Sequence, residues 1–141
     1  MSHSFKDLFV WQKARRLAIE TYRLTASFPK SETYGLAAQL RRCSVSVVSN
    51  IAEGQGRLTT GEFVQFLGVA RGSLLELRTQ FDIAHELAYL SDEEFAFIDS
   101  LAVSVMGLIG KLIDSLPRAG AKTRIAPTSK PRNLETSKPS R

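Results

Sequence analysis

Residues 59–88 read TTGEFVQFLGVARGSLLELRTQFDIAHELA, and this stretch decides the fold. Phe63, Leu67, Ala70, Leu74, Leu77, Phe81, Ala84 and Ala88 recur at steps of four and three, which lines them along one stripe of an α-helix. Thr59 with Glu62 three residues later has the form of a capping box. In such a box the hydroxyl takes a backbone N–H of the first turn while the carboxylate reaches back. The pattern therefore predicts a long amphipathic helix with a defined start.

Working outward, the same periodicity recurs three times. On the N-terminal side, Leu36, Leu40, Cys43, Val47 and Asn50/Ile51 form a seam in a helix running from about Glu32 to Gly54. Before it, Val10, Ala14, Leu17, Thr21 and Leu24 form another. Phe28-Pro29 closes it, because a proline disfavours helix in the residue before it. On the C-terminal side, Ser91 and Glu94 read as a second capping box, followed by Ile98, Leu101, Val105, Leu108 and Leu112. Each helix spans roughly twenty or more residues, about 30 Å at 1.5 Å per residue. The connections at 28–32, 54–59 and 89–91 are short, which favours antiparallel neighbours. No strand-like alternation with turn signals occurs, so the expected class is all-α: an up-down-up-down four-helix bundle over 1–116. After Leu116 the composition changes. Four of the five prolines lie there, and Thr-Ser-Lys-Pro occurs at 128–131 and again at 136–139. Such a segment has too little apolar surface to offset its ordering entropy, so 117–141 is expected to be a disordered basic tail.

The 141 residues suit one domain, and 43% hydrophobic content is enough for a packed core. The net charge of +5 is unevenly placed. Residues 1–116 hold 12 Lys/Arg against 13 Asp/Glu, whereas 117–141 hold seven against Glu135 alone. The lone Cys43 excludes an internal disulfide and suits a reducing compartment. The N-terminal sequence lacks the pattern of a signal peptide. The most apolar stretch, Leu101 to Gly110, is half a membrane span. A cytoplasmic protein with no membrane partner is the expectation.

Few residues invite chemistry. Glu53-Gly54-Gln55-Gly56-Arg57 has the glycines of a phosphate nest but no Gly-Lys-Ser/Thr and no preceding strand, so Gly54 reads as a left-handed helix cap before a turn. His85-Glu86 opens like a zinc-protease motif, yet no second histidine follows, and His85 reads as a surface residue. Cys43 sits on the seam as a small buried hydrophobe. Asp92-Glu93-Glu94 lie in a helix's first turn, where carboxylates complement the dipole. No acid–base, nucleophilic or metal-binding set can be assembled, so neither an enzyme nor a cofactor or small-molecule substrate is expected.

The second helix carries more information. Gln39, Arg42, Ser46, Ser49 and Glu53 form one polar stripe, and Val45, Val48 and Ala52 continue an apolar row from Arg41. A helix apolar on two sides is either central or pressed against another subunit. No helix of a four-helix bundle is central, so self-association is expected, with Phe66 and Val69 of the third helix pointing the same way. Gly68 and Gly72 would permit close helix approach. Basic residues gather at Lys13-Arg15-Arg16, Arg41-Arg42 and Arg57. They read either as solvated faces with local ion pairs or as phosphate contacts, for which Arg41, Arg42 and Arg57 would share one rim.

Several strings together resemble a known family: Phe5-x-x-Leu8-x-Val10-Trp11-Gln12-x-Ala14, Phe28-Pro29-x-x-Glu32-x-Tyr34-Gly35-Leu36-x-x-Gln39-x-Arg41-Arg42, Asn50-Ile51-Ala52-Glu53-Gly54-x-Gly56-Arg57 and Phe63-x-x-Phe66-Leu67-x-x-Ala70-x-Gly72-Ser73-x-x-Glu76. The chain over about 5–115 resembles the 23S rRNA intervening-sequence proteins, also called four helix bundle proteins. Cys43 stands in place of the family's usual alanine, and Ala88 in place of the glycine often found before the tyrosine. The resemblance implies a homo-oligomeric bundle with no catalytic residues. Similarity to the accessory variability proteins of diversity-generating retroelements implies a pentamer that binds RNA or DNA and assists a reverse transcriptase. The competing expectation is a structural or protein-binding scaffold without a nucleic-acid role.

Overall fold

The computed structural model describes residues 4–117. Four helices form the bundle: α1 (Phe9–Thr25), α2 (Leu36–Gln55), α3 (Thr60–Glu86) and α4 (Asp92–Ser115). Short 3-10 turns at Phe5–Asp7 and Lys30–Glu32 precede α1 and α2. Among the described residues there is no strand. The disordered tail expected over 117–141 lies, beyond Pro117, outside them.

Each helix borders its sequence neighbour, and α4 returns to border α1, so the chain closes a four-cornered bundle whose diagonal backbones stand further apart than its adjacent ones. The core is the set of seams meeting at the axis. Ala14 and Leu17 of α1, Leu40, Val47 and Ile51 of α2, Leu67, Leu74 and Leu77 of α3, and Ile98, Val105 and Ile109 of α4 are all fully buried. Thr21 and Thr25 are buried too, and each hydroxyl donates to the carbonyl four residues earlier, at 2.8 Å in both cases. That internal bond removes the penalty of burying an unpaired hydroxyl. Among the described residues α4 alone is long and apolar enough to cross a membrane, yet its core row is seated against α1 and α3.

The helix ends hold the main departures from the sequence reading. Glu32 does not open α2; it lies in the preceding 3-10 turn and caps the helix from outside. Its Oε1 accepts from the Leu36 N–H at 2.8 Å, and its Oε2 accepts from the Tyr89 hydroxyl at 3.0 Å. A Cβ on Gly35 would lie 2.6 Å from that Oε1, so the glycine makes room for the cap. Gly54 is not a left-handed cap either, for no described glycine has a positive φ. It is buried within α2, where a Cβ would meet Phe66 Cβ at 2.8 Å and Phe63 Cδ1 at 2.9 Å. Close approach of α2 and α3 demands the missing side chain; the turn begins only at Gly56. Gly68 and Gly72 show the reverse, since nothing lies within 4 Å of a Cβ built on either.

At the N-termini, Ser91 and Glu94 form the full capping box expected of them. At α3 only half of it forms: Thr59 Oγ1 accepts from the Glu62 N–H at 3.1 Å. The left-handed position of the bundle is Ala88, with φ 63°. Tyr89 N–H reaches Ala84 O at 2.9 Å and Ala88 N–H reaches His85 O at 2.9 Å, which together make a Schellman ending.

Candidate nucleic-acid interface

The six cations singled out in the sequence do not converge. Arg41 and Arg57 are sixteen residues apart, about 24 Å along a helix, and lie towards opposite ends of the bundle. The shared rim expected of Arg41, Arg42 and Arg57 is therefore not formed. Arg41 is held by α1: its Nε donates to Thr25 Oγ1 at 2.8 Å, its Nη2 donates to Tyr22 O at 3.3 Å, and the guanidinium stacks 4.7 Å from the Tyr22 ring centroid. Arg57 bonds Glu53 at 3.1 Å and covers Phe66 at 4.6 Å. Lys13 lies 5.9 Å from the Phe9 ring, and Arg16 reaches across to Phe97 of α4 at 5.7 Å. Arg15 and Arg42 are exposed.

The helix topology sorts the charges that the sequence leaves interleaved. Cutting each helix at its middle separates a half that holds the start of α1 and the end of α4 from a half that holds the 26–35 and 87–91 connections. The first half carries seven Lys/Arg (Lys6, Lys13, Arg15, Arg16, Arg57, Arg71, Lys111) against four Asp/Glu. The second carries five against nine, three of the nine being Asp92, Glu93 and Glu94. A chain segment with a net charge of only −1 is thus a bundle with a basic pole and an acidic pole. Lys13, Arg15, Arg16 and Arg57 belong to the basic pole, Arg41 and Arg42 to the other half.

A second feature lies on the outer face between α2 and α3. The polar stripe of α2 meets a matching stripe of α3, and Gln39, Arg42, Cys43 and Ser46 face Ser73, Glu76 and Gln80 around a cavity of about 240 Å³. Ser46 and Ser73 hydroxyls bond each other at 2.9 Å, and Asn50 Nδ2 donates to Ser46 O at 2.8 Å. Gln80 Nε2 donates to Gln39 Oε1 at 3.2 Å. Gln80 Oε1 is buried with no hydrogen-bond partner. Burial pushes the Cys43 thiol up to about 11, and Glu76 beside it adds to the shift, so the cysteine is a neutral wall of this cavity. The α3 half of the cavity escaped the sequence reading. Its signal was present: Ser73, Glu76 and Gln80 recur at three and four, parallel to the core stripe.

The apolar rows are placed as follows. Val45 is 41% exposed and Val69 53%, while Val48, Ala52 and Phe66 are half-buried. Val48 also packs on the core. Arg41, which heads the α2 row, bonds Thr25 of α1, and Phe66 of α3 lies against Gly54 of α2 and under Arg57.

A family model described as 23S rRNA-intervening sequence protein matches residues 6–111. A crystal structure of a protein of unknown function from the S23 ribosomal protein family of Bacteroides thetaiotaomicron has the same fold. It superposes with a TM-score of 0.71 at 18% identity, covering 75% of this chain and 96% of that one. No curated protein matches the chain.

Proposed function

We propose that this chain, which belongs to the 23S rRNA-intervening sequence protein family, is a non-catalytic nucleic-acid-binding accessory protein working as a homo-oligomer in the cytoplasm. The observation that carries the reading is the charge polarity. A phosphate backbone is attracted to the pole where Lys13, Arg15, Arg16 and Arg57 lie and is repelled by the other. Residues 117–141 carry a further +6 in the sequence. Stacked cations such as Arg16 over Phe97 give up only about 0.5–1 kcal/mol at exposed sites when they turn to a phosphate. Arg41, bonded to Thr25, is the least free of the six.

Self-association through Val45, Val48 and Ala52 of α2, together with Phe66 and Val69 of α3, would repeat the basic pole around an axis. The resemblance to retroelement accessory proteins sets the expected assembly at five copies, with a reverse transcriptase as a partner. Binding of labelled single-stranded RNA, followed by anisotropy across a salt series, tests the reading. Log K should fall by about 0.7 per phosphate contact against log[salt]. A protein that binds no RNA at low salt would leave the scaffold reading in its place.

A further inference from the structure

The cavity between α2 and α3 has a buried floor and two charged walls. Gln80 is 8% exposed. One end of its amide is taken by Gln39, and the other, Oε1, has no hydrogen-bond partner. An orphaned amide oxygen at this depth is unfavourable unless something supplies a donor. Arg42 on the α2 wall and Glu76 on the α3 wall are both exposed at the rim. Both line one cavity, and Glu76 also accepts from the Cys43 thiol between them. The site thus offers two acceptors on one side and a forked donor on the other, across a gap of about 240 Å³. That is below the roughly 300–1,000 Å³ of drug-sized pockets, so it suits a single ring system.

We propose that this cavity takes a guanine base, either from a bound RNA or as a free nucleotide. Guanine is the standard base with two adjacent donors, the N1–H and the 2-amino group, and these match a carboxylate at Glu76. The second hydrogen of the 2-amino group reaches Gln80 Oε1. Its O6 and N7 acceptors, on the far edge, match the guanidinium fork of Arg42, the commonest pairing for that edge. Adenine presents an unprotonated N1 and a C2–H to the carboxylate, and its 6-amino donor takes the place of O6 opposite the Arg42 guanidinium. Uracil presents one N–H between two carbonyls, which Glu76 would repel. The RNA source rests on the function proposed above; the pocket itself does not.

The test uses the full chain and three short single-stranded RNAs that differ at one position: guanosine, inosine or adenosine. Inosine lacks only the 2-amino group. At fixed salt the guanosine strand should bind about tenfold tighter than the other two. Glu76→Gln, at an exposed position, should abolish that preference while leaving base-independent binding and its salt slope in place. Gln80→Met, similar in size, should narrow the guanosine-over-inosine margin, because the 2-amino group then keeps only its bond to Glu76. Equal affinity for the three strands overturns the pocket and leaves RNA binding standing. Should no strand bind even at low salt, calorimetry with GMP decides. GMP binding that Glu76→Gln removes upholds the pocket without RNA, and the absence of GMP binding overturns it.

Discussion

Replacing Gly54 with alanine and Gly72 with alanine should move stability in opposite directions. Both are helix-interior glycines, and in each case alanine gains about 1 kcal/mol of helix propensity. They differ in what the new methyl meets. At Gly72 nothing lies within 4 Å, so the gain stands and Gly72→Ala should raise stability by about 1 kcal/mol. At Gly54 the Cβ would lie 2.8 Å from Phe66 Cβ and 2.9 Å from Phe63 Cδ1. The Phe63 ring can swing aside, but Phe66 Cβ is fixed to the main chain, so α2 and α3 must separate. Overpacking of this kind costs about 1–3 kcal/mol. Set against the propensity gain, the net for Gly54→Ala is a loss of about 1 kcal/mol. For a bundle of this size each change shifts the melting temperature by about 4 °C, one down and one up. Urea unfolding followed by helical circular dichroism measures both, at a slope that should stay unchanged between variants. A Gly54→Ala protein as stable as Gly72→Ala would refute the close α2–α3 contact.

Three further outcomes are expected. Ala88 holds the left-handed position of a Schellman ending, so Ala88→Gly should stabilise by about 1 kcal/mol in the same urea assay, and a loss would contradict the φ of 63°. Val45→Asp, on the exposed α2 row, should dissociate the proposed oligomer in sedimentation experiments while leaving helicity intact; an assembly unchanged by it would move the interface elsewhere. Cys43, whose thiol is raised from 9.0 to about 11, should be labelled at pH 8 about a hundredfold more slowly in the native state than after unfolding. Because the folded value is the higher one, its contribution to stability is full below about pH 9 and fades as the pH rises towards 11.

The seams of α1 to α4 were legible because burial on one face forces a 3.6-residue period, and Ser91–Glu94 because a capping box has a fixed spacing. What the sequence could not disclose depends on partners remote in the chain. Glu32 looked like the start of α2 because nothing local reveals that its carboxylate caps Leu36 and meets Tyr89, fifty-seven residues on. Gly54 looked like a cap because a glycine near a helix end usually is one; only the packing of Phe63 and Phe66 gives it another reason. The left-handed role fell instead to Ala88, a residue whose side chain disfavours it. The candidate sites divide the same way. The polar stripe of α2 was visible, but its α3 counterpart and the orphaned oxygen of Gln80 needed the two helices side by side. Likewise the near-neutral balance of 1–116 hid two opposed poles until the helices were given directions.

The most direct measurement of the central claim is the salt slope of RNA binding for two full-length variants. One replaces Lys13, Arg15, Arg16 and Arg57 of the basic pole with alanine, and the other replaces Arg41 and Arg42. The first should lose affinity uniformly across sequences, with the slope reduced by about 0.7 for each contact removed. The second should keep its slope within one contact of the parent, with Arg42 affecting only the preference for guanosine. Unchanged binding by the basic-pole variant, with the slope lost instead in the Arg41/Arg42 variant, would contradict the account.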